Sequence, residues 1–129
     1  MAPHIKGSNI KDRMFSLLQS AIYSDCDIIA DDDTIKAHKF ILAAVSPVFE
    51  EHFFGPFSQS NFYMPYSASI TAQILKAAYQ QPIYISSKRE AREIRDAAEY
   101  LQMAELWKIV DNYIENSNKQ TSSKHAILT

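Results

Sequence analysis

The sequence predicts an α+β domain, mostly helical, with a small sheet of short strands at one side. Three observations lead there. Apolar residues recur at helical spacing in several separate stretches, the extended segments between them are short and bounded by turn residues, and 129 residues leave room for one core. A domain of this size buries roughly two thirds of the surface its unfolded chain exposes. Residues 9–115 are expected to form that domain, with a flexible N-terminus over residues 1–8 and a flexible tail or start of a linker over residues 116–129.

The first helix is predicted from Ile10, Met14, Leu17, Leu18, Ala21 and Ile22, with Asn9 placed to cap it. Phe15 lies beside this stripe and widens it, so the helix is either deeply buried or meets a partner subunit as well as its own core. Asp27 to Ala30, an acidic turn at Asp31 to Asp33, and Thr34 to Ala37 make a hairpin pattern. The acidic run lacks the glycine and distal glutamate of a calcium loop and reads as a solvated turn. Residues 39–45 are apolar on every side, as expected of a helix at the centre of a core. Ser46-Pro47 ends that helix and starts another, which carries Val48, Phe49, Phe53 and Phe54 and stops at Gly55-Pro56.

Residues 57–69 are polar and aromatic, with a strand at Phe62-Tyr63-Met64 closed by Pro65. Ile70, Ile74, Leu75 and Ala78 form a helical stripe that Gln80-Gln81-Pro82 breaks, and Ile83-Tyr84-Ile85 is extended. Ser86 or Ser87 caps the next helix, whose inner stripe is Ala91, Ile94, Ala97, Ala98 and Leu101. Its outer face pairs Arg89 with Glu93, Arg92 with Asp96 and Arg95 with Glu99, each worth about 0.2–0.5 kcal/mol and reading as a solvated face. Leu106, Ile109, Val110, Tyr113 and Ile114 point inward from a last helix.

Composition narrows function. Hydrophobic residues make up 47% and charged residues 22%, with a net charge of -2 and basic residues spread among acids, so nothing favours direct nucleic-acid or anionic-membrane binding. Cys26 is the one cysteine, which excludes an intramolecular disulfide, and no paired Cys and His spacing points to a metal. The N-terminus lacks the apolar stretch of a secretory signal, and the longest apolar run, Phe40 to Val45, is far too short to span a bilayer. The expectation is a soluble intracellular protein of nucleus or cytoplasm. Two glycines, neither in a phosphate-loop spacing, give nucleotide binding no support. His38 reads as a hydrogen-bonded structural histidine and Cys26 as a small core hydrophobe, so no catalytic residue, cofactor or small-molecule ligand is expected.

Residues 25–54 carry an Asp opening a strand, Asp27-Ile28-Ile29, then Ala37-His38-Lys39, then Ile41-Leu42-Ala43-Ala44-Val45-Ser46-Pro47-Val48-Phe49. A second block reads Ala97-Ala98-Glu99-Tyr100-Leu101-Gln102. In residue type and spacing these resemble the BTB/POZ family, over about residues 9–115. The chain departs from that family at Tyr79-Gln80-Gln81-Pro82, where a Tyr-Thr-Gly turn is usual, and in having no acidic residue between His52 and Arg89, where members that recruit cullin scaffolds carry an apolar-x-Glu triplet.

The resemblance implies a non-enzymatic protein-interaction module that homodimerises and scaffolds a larger assembly, within a transcriptional or chromatin regulator. The alternative it implies, a substrate adaptor of a cullin-type ubiquitin ligase, is disfavoured by the missing glutamate. The first helix would pair with its counterpart through Ile10, Met14, Phe15, Leu18 and Ile22. Asp27 and Lys39 match a charged pair lining the groove between subunits; the alternative is a strand-end aspartate and a helix-start lysine, both in water. Phe54, Phe57, Phe62 and Tyr63 would form a partner-binding loop. Partners would be a second copy and other proteins, either co-regulators or a cullin.

Overall fold

Alternation along one five-residue strand organises the molecule. In β1 (Cys26–Ala30) Cys26, Ile28 and Ala30 are buried while Asp27 and Ile29 are only half so, the period of a strand with one face on a core. β2 (Asp33–Ala37) pairs with it antiparallel, setting Ile28 opposite Ile35, and β3 (Asn61–Met64) pairs on its other side in parallel, setting Ile28 beside Phe62. A parallel neighbour requires a crossover, which α2 (Lys39–Val45) and α3 (Pro47–Phe54) supply as a helical hairpin between β2 and β3. The computed structural model describes residues 9–31, 33–119 and 126–127. Before the sheet comes α1 (Ile10–Ser20), and after it come α4 (Ala68–Ala78), β4 (Ile83–Tyr84), α5 (Lys88–Tyr100), α6 (Ala104–Lys119) and β5 (Ala126–Ile127). The predicted mostly helical domain with a small sheet is the fold observed.

The core fills the space between the inner face of the sheet and the helices, with Leu42, Phe49, Phe53, Ile74, Leu75, Ile94, Leu101 and Val110 among its buried side chains. The inner stripe predicted for α5 is buried at every position, and in α6 Leu106, Val110 and Ile114 are buried with Ile109 and Tyr113 packed against them. Three serines start helices as their sequence positions predict or allow: the hydroxyls of Ser46, Ser67 and Ser87 accept the backbone N–H of Phe49, Ile70 and Glu90. Ser46 does more, since its own O–H donates to the Leu101 carbonyl at 2.6 Å and so ties the start of α3 to the end of α5.

Four expectations are corrected. α2 is not at the centre of the core: only Leu42 is fully buried and Phe40 is 83% exposed. In a helix, positions two apart point about 200° from each other, so placing Leu42 inward turns Phe40 outward. Asn9 occupies the cap position of α1 but makes no side-chain cap bond. Arg95 does not pair along its own helix; it reaches Asp111 of α6 at 2.6 Å, locking the two helices together. Part of the stretch expected as a flexible tail is ordered, since α6 continues to Lys119 and Ala126–Ile127 pairs antiparallel with β4; the rest of it lies outside the described residues. The flexible N-terminus expected over residues 1–8 lies outside the described residues.

Among the described residues the left-handed turns are made without glycine. Ala21, Tyr23, Asp31, Gln80 and Gln102 all have φ between 53° and 66°, the left-handed region. Gln80 thereby closes α4 where the resemblance would put a Tyr-Thr-Gly turn, and the Gln81 amide donates to the carbonyls of Tyr79 and Lys11.

Two substitutions test this packing by urea denaturation. Ser46→Ala strips a helix cap and leaves the Leu101 carbonyl unpaired, so a loss of about 1–3 kcal/mol is expected. Thr71, fully buried in α4, has a hydroxyl with no partner among the described residues, so Thr71→Val is expected to hold stability or raise it by about 1 kcal/mol.

Candidate interaction surface

The surface is built around His38, the residue that leads from β2 into α2. Its backbone N–H donates to the Tyr79 hydroxyl at 2.9 Å, and the Tyr79 O–H in turn faces His38 Nδ1 at 2.7 Å. His38 Nε2 meets the Ile22 carbonyl at 2.7 Å. A carbonyl can only accept, so Nε2 carries hydrogen, and Nδ1 takes the Tyr79 hydrogen; each group in the chain is then satisfied. Burial raises the Tyr79 hydroxyl well above its ordinary range, against the opposing effect of the His38 N–H, so the phenol stays protonated as the network requires. The histidine is structural, as its sequence position predicts.

Asp25 completes the start of α2. Its carboxylate accepts the Lys39 N–H at 2.8 Å, capping a donor that His38 leaves open. Asp27 instead meets Lys36 across the hairpin at 3.3 Å, an exposed ion pair. Asp27 and Lys39 make no ion pair with each other among the described residues; besides burial and Asp25, both act on the Cys26 thiol, Lys39 lowering it and Asp27 raising it. Burial is the larger effect, followed by Asp25, and the thiol is pushed up to about 12.

α1 lies on this platform more than in it. It contains no buried residue; Met14 and Leu18 pack half-buried against the core, and Phe15 and Leu17 are half-buried. Ile10 and Ile22, from the same expected stripe, are 64% and 51% exposed. The deep-burial reading of this helix is thus excluded. The main chain holds it at both ends, through Lys11 O to Gln81 and Ile22 O to His38.

Beside α1 the outward Phe40 ring stands edge-on to Phe54, their centroids 6.3 Å apart. A groove of 240 Å³ next to them runs between Met14 of α1, Ile41, Ala44 and Val45 of α2, and Ala78 at the end of α4. Sequence reasoning missed Phe40, which sat inside an apolar run; the signal available was its position two residues from Leu42. Of the expected loop, Phe54, Phe57 and Tyr63 are exposed, but Phe62 is core, edge-on to Phe49 and His52 and tilted against Phe53. Alternation in β3 explains the difference, since neighbours on a strand face opposite sides.

The family described as BTB/POZ domain matches residues 14–118. Zinc finger protein 131 of Homo sapiens is 32% identical over 116 residues, covering 88% of this chain and 18% of that protein. BTB/POZ and MATH domain-containing protein 3 of Arabidopsis thaliana is 46% identical over 54 residues, 42% of this chain and 13% of that protein. This chain therefore spans less than a fifth of either relative. The solved BTB domain of zebrafish PATZ1 superposes with a TM-score of 0.71 at 20% identity, covering 91% of this chain and 99% of that one.

Two measurements check the platform. Tyr79→Phe leaves the His38 N–H and ring nitrogen unpaired in a buried site, so a loss of about 1–3 kcal/mol is expected by denaturation, with faster amide exchange in α1. The Cys26 thiol is held protonated by the fold, so its contribution to stability is complete below its ordinary value of 9.0 and falls away as pH rises towards about 12. Cys26→Ala is expected to flatten that alkaline decline in a series of denaturation curves, although the fall from Tyr79, raised in the same direction by burial, remains.

Proposed function

The chain belongs to the BTB/POZ domain family, a family of protein-interaction modules, and from that membership we infer that it pairs with a second copy of itself through α1 and the Phe40 patch. The observation that carries this reading is the unpartnered apolar surface. A helix with an apolar stripe but no buried residue, set beside an 83% exposed phenylalanine and an apolar groove, matches a surface meant to be covered. A two-fold pairing uses one patch twice, so it needs a knob and a hole on the same face, and Phe40 stands at the edge of the 240 Å³ groove. Ile10, Met14, Phe15, Leu18 and Ile22 supply the flanking contacts. Asp27, which pairs with Lys36 within its own chain, and Lys39 are the charged residues assigned to the border of the groove between the two copies.

The paired module serves as a scaffold within a larger transcriptional or chromatin regulator acting in the nucleus. The support is the likeness to zinc finger protein 131, of which this chain spans 18%. Exposed Phe54, Phe57 and Tyr63 are the contacts offered to co-regulator proteins.

Sedimentation velocity from micromolar to nanomolar concentration tests the pairing. A dimer is expected across that range, and Phe40→Glu is expected to weaken it at least about 100-fold, as removal of an interface anchor does, while leaving the monomer folded because the side chain is exposed. A wild-type chain that stays monomeric at tens of micromolar, about the weak end for specific association, overturns the reading.

A further inference from the structure

Two residues in the left-handed region frame the link from α1 to β1, Ala21 at φ 59° and Tyr23 at φ 65°. The Ser24 N–H donates to the Ala21 carbonyl at 3.2 Å, which makes Ile22 and Tyr23 the central pair of a four-residue turn. The turn has a purpose within the chain, because it carries the Ile22 carbonyl that His38 Nε2 meets. A positive φ at the second central position suits glycine or asparagine. The geometry thus explains the turn and leaves the tyrosine unexplained.

The other left-handed residues are each accounted for. Ala21 is small and closes α1 by donating its N–H to the Leu17 carbonyl. The Asp31 carboxylate accepts the Ala68 N–H, and the Gln80 side-chain amide donates to the Ala78 carbonyl. Gln102 is an unbranched polar side chain facing water. Tyr23 is the one aromatic of the five; it is 84% exposed, and neither its ring nor its hydroxyl has a partner among the described residues. A bulky side chain in this conformation weakens the domain that holds it. With no contact inside the chain to offset that, its contact lies outside the chain.

Continuity with the α1–Phe40 face points to the occupant. Tyr23 directly follows Ile22, the exposed end of the α1 stripe. The Ile22 carbonyl is held by His38, two residues before the exposed Phe40. We propose that the Tyr23 ring packs against a second copy of this chain and is a specificity determinant of the pair. The inference rests on the pairing reached above and adds a residue outside both helices of that face. Tyrosine fits the place: it has few torsions to order, a large ring to bury and a hydroxyl that remains solvated at the rim. Strain in the turn weakens the single chain while the ring strengthens the pair, so the two effects carry opposite signs and separate by experiment.

Subunit exchange between donor- and acceptor-labelled copies of the full chain reads how fast the pair dissociates. Tyr23→Asn accepts the left-handed turn and removes the ring, and it is expected to speed exchange at least about tenfold. Tyr23→Phe keeps the ring and is expected to exchange at the wild-type rate. Melting temperature is read in the Phe40→Glu background, where loss of pairing no longer contributes. There Tyr23→Asn is expected to hold the melting temperature or raise it by a few degrees. An exchange rate unchanged by Tyr23→Asn but raised by Phe40→Glu overturns the inference and leaves the pairing in place. A lower melting temperature for Tyr23→Asn in the Phe40→Glu background overturns it too, since the ring would then serve its own fold. Absence of energy transfer between wild-type copies removes the pairing itself and this inference with it.

Discussion

The hydroxyl of Tyr79 is the point where the fold is closed. It receives the backbone N–H of His38, gives its own hydrogen to the same residue's ring, and leaves the other ring nitrogen to hold the Ile22 carbonyl. Three parts of the chain meet there: the exit from α1, the entry to α2 and the end of α4. An unpaired buried donor costs about 1–3 kcal/mol, so a network in which each member satisfies the next is stable only as a whole. Because His38 directly follows β2, the same contact fixes where the hairpin stops and α2 begins, and with them the crossover to β3.

A parallel logic joins the two sequence blocks that carry the family resemblance. Ser46 ends the first block's helix and Leu101 lies in the second, and the hydroxyl of one donates to the carbonyl of the other. The spacing of each block is local, but the reason they occur together is this contact across the core. Neither residue acts alone: the serine also caps α3, and Leu101 is itself fully buried.

Long amphipathic stripes made α5 and α6 legible, because many positions vote for one face and the capping serine marks the start of α5. Short elements were harder. The run from Phe40 to Val45 is apolar all round, yet composition does not say how many neighbours a seven-residue helix has, and α2 turns Phe40 to solvent. Phe62 and Tyr63 are adjacent aromatics that only the register with β1 separates into core and surface. The family resemblance pointed to Asp27 as the charged companion of Lys39, while in the fold Asp25 accepts the Lys39 N–H and Asp27 pairs with Lys36. Arg95 shows the same limit, since its sequence neighbours four positions away are plausible partners and its spatial neighbour Asp111 is a better one.

The attachment of α1 has a consequence for how this surface can evolve. The helix is held through the carbonyls of Lys11 and Ile22, groups that every amino acid possesses, while none of its own side chains is buried. The identity of its outward side chains is therefore largely uncoupled from the domain's folding, while Met14 and Leu18 still pack on the core. Substitutions along its outer face can accumulate without disturbing the clamp beneath, so the chemistry of that face is able to change while the scaffold stays the same.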